Sequence, residues 1–462
     1  MPLITLNKHR GYDQKENANQ ERLLSKSKWL SLFILIAGMT VASSTMAAEK
    51  LANLFTFCNI GDVKLGLIHT KMDRLVLVPL ENLEGYPGGH CEHTWVSPDG
   101  KTVYLSIDAD PSANPPVPAS VVVLEVKDID WDMLWADVEI INTLTLAPPR
   151  RPAVFPPVRE VDPSQPIAGW VLADFTQAHG PTFLPHSNYT YITQWTDQRI
   201  WVMNTQTHEF AATDFQNFGQ VSRQTHGVNF NPSGTIGLGT GYFYDNDKID
   251  VYEANKETGN LRHRGSIQLG DKFAHAAFTH YTVWLDNRYA LTASMQLWPT
   301  SLTPPGAEII GPSVWLLDVW EGTAKQIIDT AFSADEAGVF LSPSDLGVAG
   351  GKLYLAEEDS LDGSFGSLDG GSVSVFDISD IHEPKFIKRF KPGLDPVEGL
   401  PDDFTVAHGI GVTPGEDSVY VTSYVSHYII KIDTMTDEVV KVFGPGDGLD
   451  VPHGGFIAGS TR

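Results

Sequence analysis

The chain has 462 residues, 42% hydrophobic and 19% charged, with 57 acidic against 32 basic side chains and a net charge of −25. So acidic a surface excludes nucleic acid and anionic membrane as partners, because both are held through Lys/Arg patches. Two cysteines, in neither a Cys-x-x-Cys nor a Cys-x-x-Cys-His arrangement, exclude covalent c-type haem and a dithiol redox motif.

In chain order, the first element is an export signal. Scattered basic side chains end at Lys26 and Lys28, an apolar run extends from Leu30 to Ala42, and small residues follow through Ala47-Ala48. The run is shorter than the roughly 20 residues a membrane span needs. We expect a signal peptide over 1–48 with an unusually long n-region, cleavage near Ala48, and a periplasmic protein with no membrane anchor. That segment holds six basic and three acidic side chains of a chain at −25, which leaves −28 on the remainder.

Residues 49–462 are expected to form a single domain. Three strand-like runs, residues 54–60, 63–69 and 74–80, precede a motif that recurs. Glu92-His93-Thr94 leads through Pro98-Asp99-Gly100 to Val103-Tyr104-Leu105-Ser106. Ala178-His179-Gly180 leads to Tyr189-Thr190-Tyr191, and Thr225-His226-Gly227 to Pro232-Ser233-Gly234. Ala274-His275-Ala276 leads to Tyr289-Ala290-Leu291. Ser344-Asp345-Leu346 leads to Leu353-Tyr354-Leu355, with Asp in the place of His. Ala407-His408-Gly409 opens the most regular copy, and Pro452-His453-Gly454 is the last.

Each copy reads as short β-rich runs parted by Pro, Gly, Asp and Thr turns, with no helical period. Four such strands in about 45 residues make one propeller blade. Seven openings therefore predict an all-β, seven-bladed β-propeller. Only nine residues follow His453, so the last blade is expected to join a C-terminal inner strand to N-terminal strands. That removes the sheet edges. Cys58 on the closing segment and Cys91 at the first opening are expected to form a disulfide across the seam. Pro-rich stretches at 110–118, 147–166 and 298–312 read as inserted loops.

Val419-Tyr420-Val421-Thr422-Ser423-Tyr424 through Ile432-Asp433-Thr434 resembles the repeat of YVTN-type bacterial propellers. The resemblance spans the mature chain and implies a fold, with no activity attached.

Aligning the openings places His93, His179, His226, His275, Asp345, His408 and His453 at one mouth of the central channel. His90 is an alternative to His93, because Pro98 lies one residue too near His93 for the common register. His280 is expected to face the opposite side of its strand as a packing residue. A neutral imidazole has one acceptor nitrogen that must find a donor, whereas a metal ion satisfies several at once. The ring is thus a candidate metal site, with two or three ions, since seven ligands exceed the need of one. Copper heads the divalent affinity order and suits imidazole, and zinc is the alternative. Glu358 or Glu357, just past a second strand, is the candidate general base. Asp108, Trp195, Tyr242, Met295 and Tyr424 are candidates for a second tier at the mouth.

An exported propeller with an axial histidine ring resembles two copper families, nitrous oxide reductase and thiocyanate dehydrogenase. This chain departs from the former, lacking an adjacent His pair at the first opening and a cupredoxin domain. The latter is a propeller alone and the nearer analogue. The resemblance implies a periplasmic oxidoreductase acting on a small sulfur- or nitrogen-containing molecule, with electrons passing to an external carrier. The sequence leaves two other classes open: a non-catalytic metal store or metallochaperone, and an interaction scaffold.

Overall fold

Burial along each repeat falls from the first strand to the fourth. In the most regular copy, the strands Ala407–Val412 and Ser418–Ser423 are buried at every position, whereas Glu438–Phe443 alternates exposed and covered residues. Strands covered on both faces read as continuous apolar runs, and only an outer strand can keep a wet face. This gradient is what radially stacked sheets require.

The computed structural model describes residues 51, 53–110, 115–146, 179–194, 199–211, 225–241, 248–270, 275–276, 279–295, 308–309, 312–329, 343–358, 371–392 and 397–458. Among them lie seven four-stranded antiparallel sheets and one two-stranded pair. The inner strands of the seven blades are Cys91–Val96, His179–Phe183, Thr225–Phe230, Thr279–Trp284, Pro343–Ala349, Ala407–Val412 and Pro452–Ile457. We number the blades 1 to 7 in that order. The fold is the expected seven-bladed propeller, and all seven blades belong to one compact unit, Leu51–Arg462. The expected signal segment lies outside the described residues, as do the inserted stretch 147–166 and, of the stretch 298–312, residues 298–307 and 310–311. Among the described residues no helix is long and apolar enough to cross a membrane.

Closure is also as expected. Pro452–Ile457 pairs antiparallel with Leu54–Asn59, and the sheet continues through Lys64–His69 and Arg74–Pro79. The expected disulfide is not formed. Cys58 and Cys91 are buried free thiols, and the Cys91 thiol donates to the Lys64 carbonyl at 4.0 Å. Burial pushes the Cys58 thiol up, which keeps it protonated. The seam is held by the strand ladder itself.

A repeated tyrosine docks blade on blade. Tyr104, Tyr191, Tyr354 and Tyr420 occupy the same position of their second strands and are almost wholly buried. Each hydroxyl reaches an outer turn of the next blade. Tyr191 donates to the Gly259 carbonyl at 2.7 Å, Tyr354 to Asp437 at 3.0 Å and Tyr420 to the Thr70 carbonyl at 3.1 Å, while Tyr104 meets His208. A buried hydroxyl needs such a partner, so the tyrosine sets the spacing of adjacent sheets.

Candidate metal centre

All seven inner strands break register with their neighbours at the same level. In each, the inner strand carries one residue more than its partner between two paired positions: Cys91 to Thr94, His179 to Thr182, Thr225 to Gly227, Thr279 to Thr282, Pro343 to Asp345, Ala407 to Ile410 and His453 to Phe456. A β-bulge bends the strand and re-aims its side chains. Repeated seven times, it turns one level of the propeller inward. In blade 7 this level needs a glycine: Gly454 has φ +62°, and a Cβ there would lie 2.5 Å from His93 Nδ1.

Six imidazoles fill that level and form a closed ring. Centroid separations are 4.1 Å for His93–His179, 3.6 Å for His179–His226 and 4.1 Å for His226–His280. The circuit continues with 5.5 Å for His280–His408, 4.2 Å for His408–His453 and 4.7 Å for His453–His93. The widest gap is the one at blade 5, which contributes no histidine.

Five of the seven expected ring positions are brought together: His93, His179, His226, His408 and His453. Blade 4 differs. His280, expected to pack away from the axis, is its ring member, because the inner strand begins at Thr279. His275 belongs to a separate two-residue strand paired in parallel with Glu308–Ile309, and its side chain lies outside the described residues. The spacing from the ring histidine to the second strand carried the signal. It is ten residues in blades 2, 3 and 6 and nine in blade 1; His280 is nine before Tyr289, whereas His275 is fourteen. His90 is exposed and His93 buried, so His93 is the ring residue.

Blade 5 differs as well. Its extra residue is Ser344, and Asp345 is turned aside. The Asp345 carboxylate accepts from the amides of Leu346 and Ile410, each at 2.8 Å, tying blade 5 to blade 6. Burial nonetheless raises its pKa to about 7. The carboxylate that joins the ring is Glu358, which is bonded to His408 Nδ1. Adjacent Glu357 points the other way: fully buried, it accepts from Ser374 and lies 3.6 Å from Arg389 Nη2. It is therefore a structural partner and no candidate base. Glu92, which carried no sequence signal beyond its place beside His93, supplies a second carboxylate.

Three sets of ligand atoms gather within 4.8 Å of one another among the described residues: His93, His408 and His453; Glu92, His93 and His179; and His280, Glu358 and His408. A relay of main-chain carbonyls orients the imidazoles. His226 Nδ1 donates to the His280 carbonyl at 3.2 Å, His280 Nδ1 to the Ser344 carbonyl at 3.0 Å, and His453 Nδ1 to the Glu92 carbonyl at 2.9 Å. A carbonyl only accepts, so each of these three carries its proton on Nδ1 and its lone pair on Nε2. Hydroxyls one strand out brace the same backbone: Thr193 donates to the His226 carbonyl and Thr240 to that of His280.

The electrostatics follow from burial. Desolvation lowers all six histidines, His226 and His408 to about 3, and neighbouring imidazoles lower His93, His179, His280 and His453 further. All are neutral bases near neutral pH. Burial raises Glu358 to about 8 and, with Asp108 beside it, raises Glu92 as well. Two atoms of the site, His93 Nε2 and Glu92 Oε2, are buried with no hydrogen-bond partner. Leaving such an atom unmet costs about 1–3 kcal/mol. A cation between imidazole and carboxylate would meet both, so the donor set fits a metal.

Of the second-tier candidates, Tyr424 lies against His408 and His453, at 5.3 and 5.7 Å between centroids. Asp108 backs Glu92. Trp195 and Tyr242 lie outside the described residues.

No protein-family profile matches the sequence, and no curated protein matches it. Solved structures do match in fold. A functionally unknown protein from Desulfotomaculum acetoxidans is similar at TM-score 0.56 and 12% identity, over 88% of this chain and 98% of its own. A putative 6-phosphogluconolactonase from Bacteroides uniformis is similar at 0.53 and 11%, over 88% and 99%. Another from Bacteroides fragilis is similar at 0.51 and 13%, over 88% and 98%. At such identities the likeness is one of propeller architecture alone.

Proposed function

We propose that the axial ring is a polynuclear transition-metal centre, and that the protein is a copper-dependent oxidoreductase acting on a small molecule in the periplasm. The observation that carries the reading is the closed ring of six neutral imidazoles, five buried and His453 half-buried, with His93 Nε2 and Glu92 Oε2 both buried and unmet in residues that share one ligand set. Imidazole ligands whose second nitrogen is held by a carbonyl are the usual arrangement around a protein-bound metal.

The roles of the residues follow from their places. His93, His179, His226, His280, His408 and His453 would hold two or three ions, and Glu92 and Glu358 would add negative charge to the set. Bound copper would supply one-electron steps and Lewis acidity. Glu358, at the blade 5 gap, is the carboxyl group placed to exchange a proton with a small molecule in the mouth. The acidic surface, at −25 over the whole chain, suits a basic electron carrier. Zinc fits the same ligands.

Elemental analysis with electron paramagnetic resonance on exported protein tests this. Two or more copper ions per chain, with signals that change on adding small sulfur or nitrogen compounds, is the expected result. Tightly held zinc without a redox response would make the protein a metal store. Protein that acquires no metal from copper or zinc solutions would sink the proposal.

A further inference from the structure

The residue after each ring position is Thr94, Gly180, Gly227, Tyr281, Asp345, Gly409 and Gly454 in turn. Blade 4 alone places an aromatic side chain there. Its bulge holds His280 and Tyr281 together opposite a single residue, Ala293, so both are turned from the regular alternation of a strand. Tyr281 belongs to the apolar core of blades 4 and 5 and also reaches across to the histidines. Its ring centroid is 4.8 Å from His280, 5.4 Å from His226 and 6.0 Å from His179. Its hydroxyl stands 3.4 Å from His179 Nδ1.

The glycines of blades 2 and 3 make this reach feasible. A Cβ at Gly227 would lie 3.2 Å from the Tyr281 ring. One at Gly180 would lie 3.3 Å from the Tyr281 hydroxyl and 2.4 Å from the ring of Trp95. Trp95 in turn stacks on Phe456, with centroids 3.4 Å apart. Three large aromatic residues from blades 1, 4 and 7 thus follow the imidazoles along the inner strands. His179 is also distinct: three other ring histidines donate to carbonyls and His408 meets Glu358, while His179 Nδ1 faces a phenol.

We propose that Tyr281 is a positioning residue that closes the axial channel beneath the ring and holds the His179 imidazole through its hydroxyl. Molecules then reach the ring from the histidine mouth, and His179 is held by a hydroxyl from another blade where His408 is held by the Glu358 carboxyl of blade 5. This goes beyond the metal reading and stands without it.

Two variants separate the two tasks. Tyr281→Phe keeps the closure and removes the hydroxyl; Tyr281→Ala removes both. In metal-free protein with 15N-labelled histidine, Tyr281→Phe should move the His179 Nδ1 resonance, assigned with His179→Gln, and leave the other ring imidazoles in place. Acylation of the ring histidines by diethylpyrocarbonate should accelerate in Tyr281→Ala and stay at the wild-type rate in Tyr281→Phe. An unmoved His179 resonance overturns the positioning role, and an unchanged acylation rate in folded Tyr281→Ala overturns the closure. Should Tyr281→Ala not fold, Tyr281→Leu takes its place in the acylation test. Where metal binds, Tyr281→Phe should weaken one ion by about 10–100-fold, the effect of removing an outer hydrogen-bond partner from a ligand.

Discussion

Two tiers of repeated polar residues run around this propeller, and they end differently. The tyrosines of the second strands each give their hydroxyl to the next blade, as Tyr191 does to Gly259 and Tyr420 to Thr70. The histidines of the inner strands give Nδ1 to a main-chain carbonyl of the next blade, as His226 does to His280 and His453 to Glu92. The first tier is a satisfied docking device. In the second, the imidazoles lie ring against ring, and His93 Nε2 is buried without a hydrogen-bond partner. Repetition alone therefore does not mark function.

The comparison breaks first at His408, which belongs to two of the three ligand sets. His408→Ala should lose at least one ion per chain in elemental analysis while circular dichroism stays that of the native sheet. A full complement of metal would place the ring among the satisfied devices.

Glu357 and Glu358 sharpen it, being neighbours in sequence and unlike in role. Glu357→Gln leaves the buried Arg389 charge without its carboxylate and should cost about 3–5 kcal/mol of stability in denaturant unfolding, with metal content unchanged. Glu358→Gln should do the reverse, reducing metal content with little loss of stability.

Acid separates the tiers as well, since only the histidines titrate. Their pKa values lie below the ordinary value in the folded protein, so the unfolded chain takes up protons first as pH falls. Stability is then full above about 6.5 and is lost toward the folded values, about 3 for His226 and His408. Each contributes about 1.4 kcal/mol per pH unit. Glu358, raised to about 8, works in the opposite sense and favours the fold at lower pH, as do Asp345, raised to about 7, and Glu92, but these are three groups against six. The melting temperature of metal-free protein should fall steadily between pH 6.5 and 4.5. A flat profile would mean that the imidazoles are not buried as a ring.

The smallest effect belongs to the docking tier. Tyr420→Phe removes one buried hydrogen bond and should cost about 1 kcal/mol, with metal content and resonance signals untouched.

Much of the architecture was legible from residues near one another in sequence. Four strands per repeat, the blade count and the N-to-C closure follow from turn spacing and from the shortage of chain after His453. Five ring histidines were legible for the same reason, each standing next to a glycine or threonine at the head of a regular repeat. The misassignments cluster at blades 4 and 5. In blade 4 two histidines five residues apart compete, and the spacing to Tyr289 that favours His280 is a weaker cue than the Ala-His-Ala sequence around His275. In blade 5 the bulge falls on Ser344, so Asp345 is carried past the ring into the amides of Leu346 and Ile410. Cys58 and Cys91 were rightly placed as neighbours, but nearness alone does not form a bond.

A closed, seven-fold β architecture follows from strand period, turn residues and repeat length, each of which acts over a few residues. Only the tertiary structure decided which side chains meet on the axis. Inward aim depends on where each strand gains its one extra residue, and a shift of a single position exchanges one strand face for the other. Glu92, His280 and Tyr281 enter the site by that shift, which the register between strands determines.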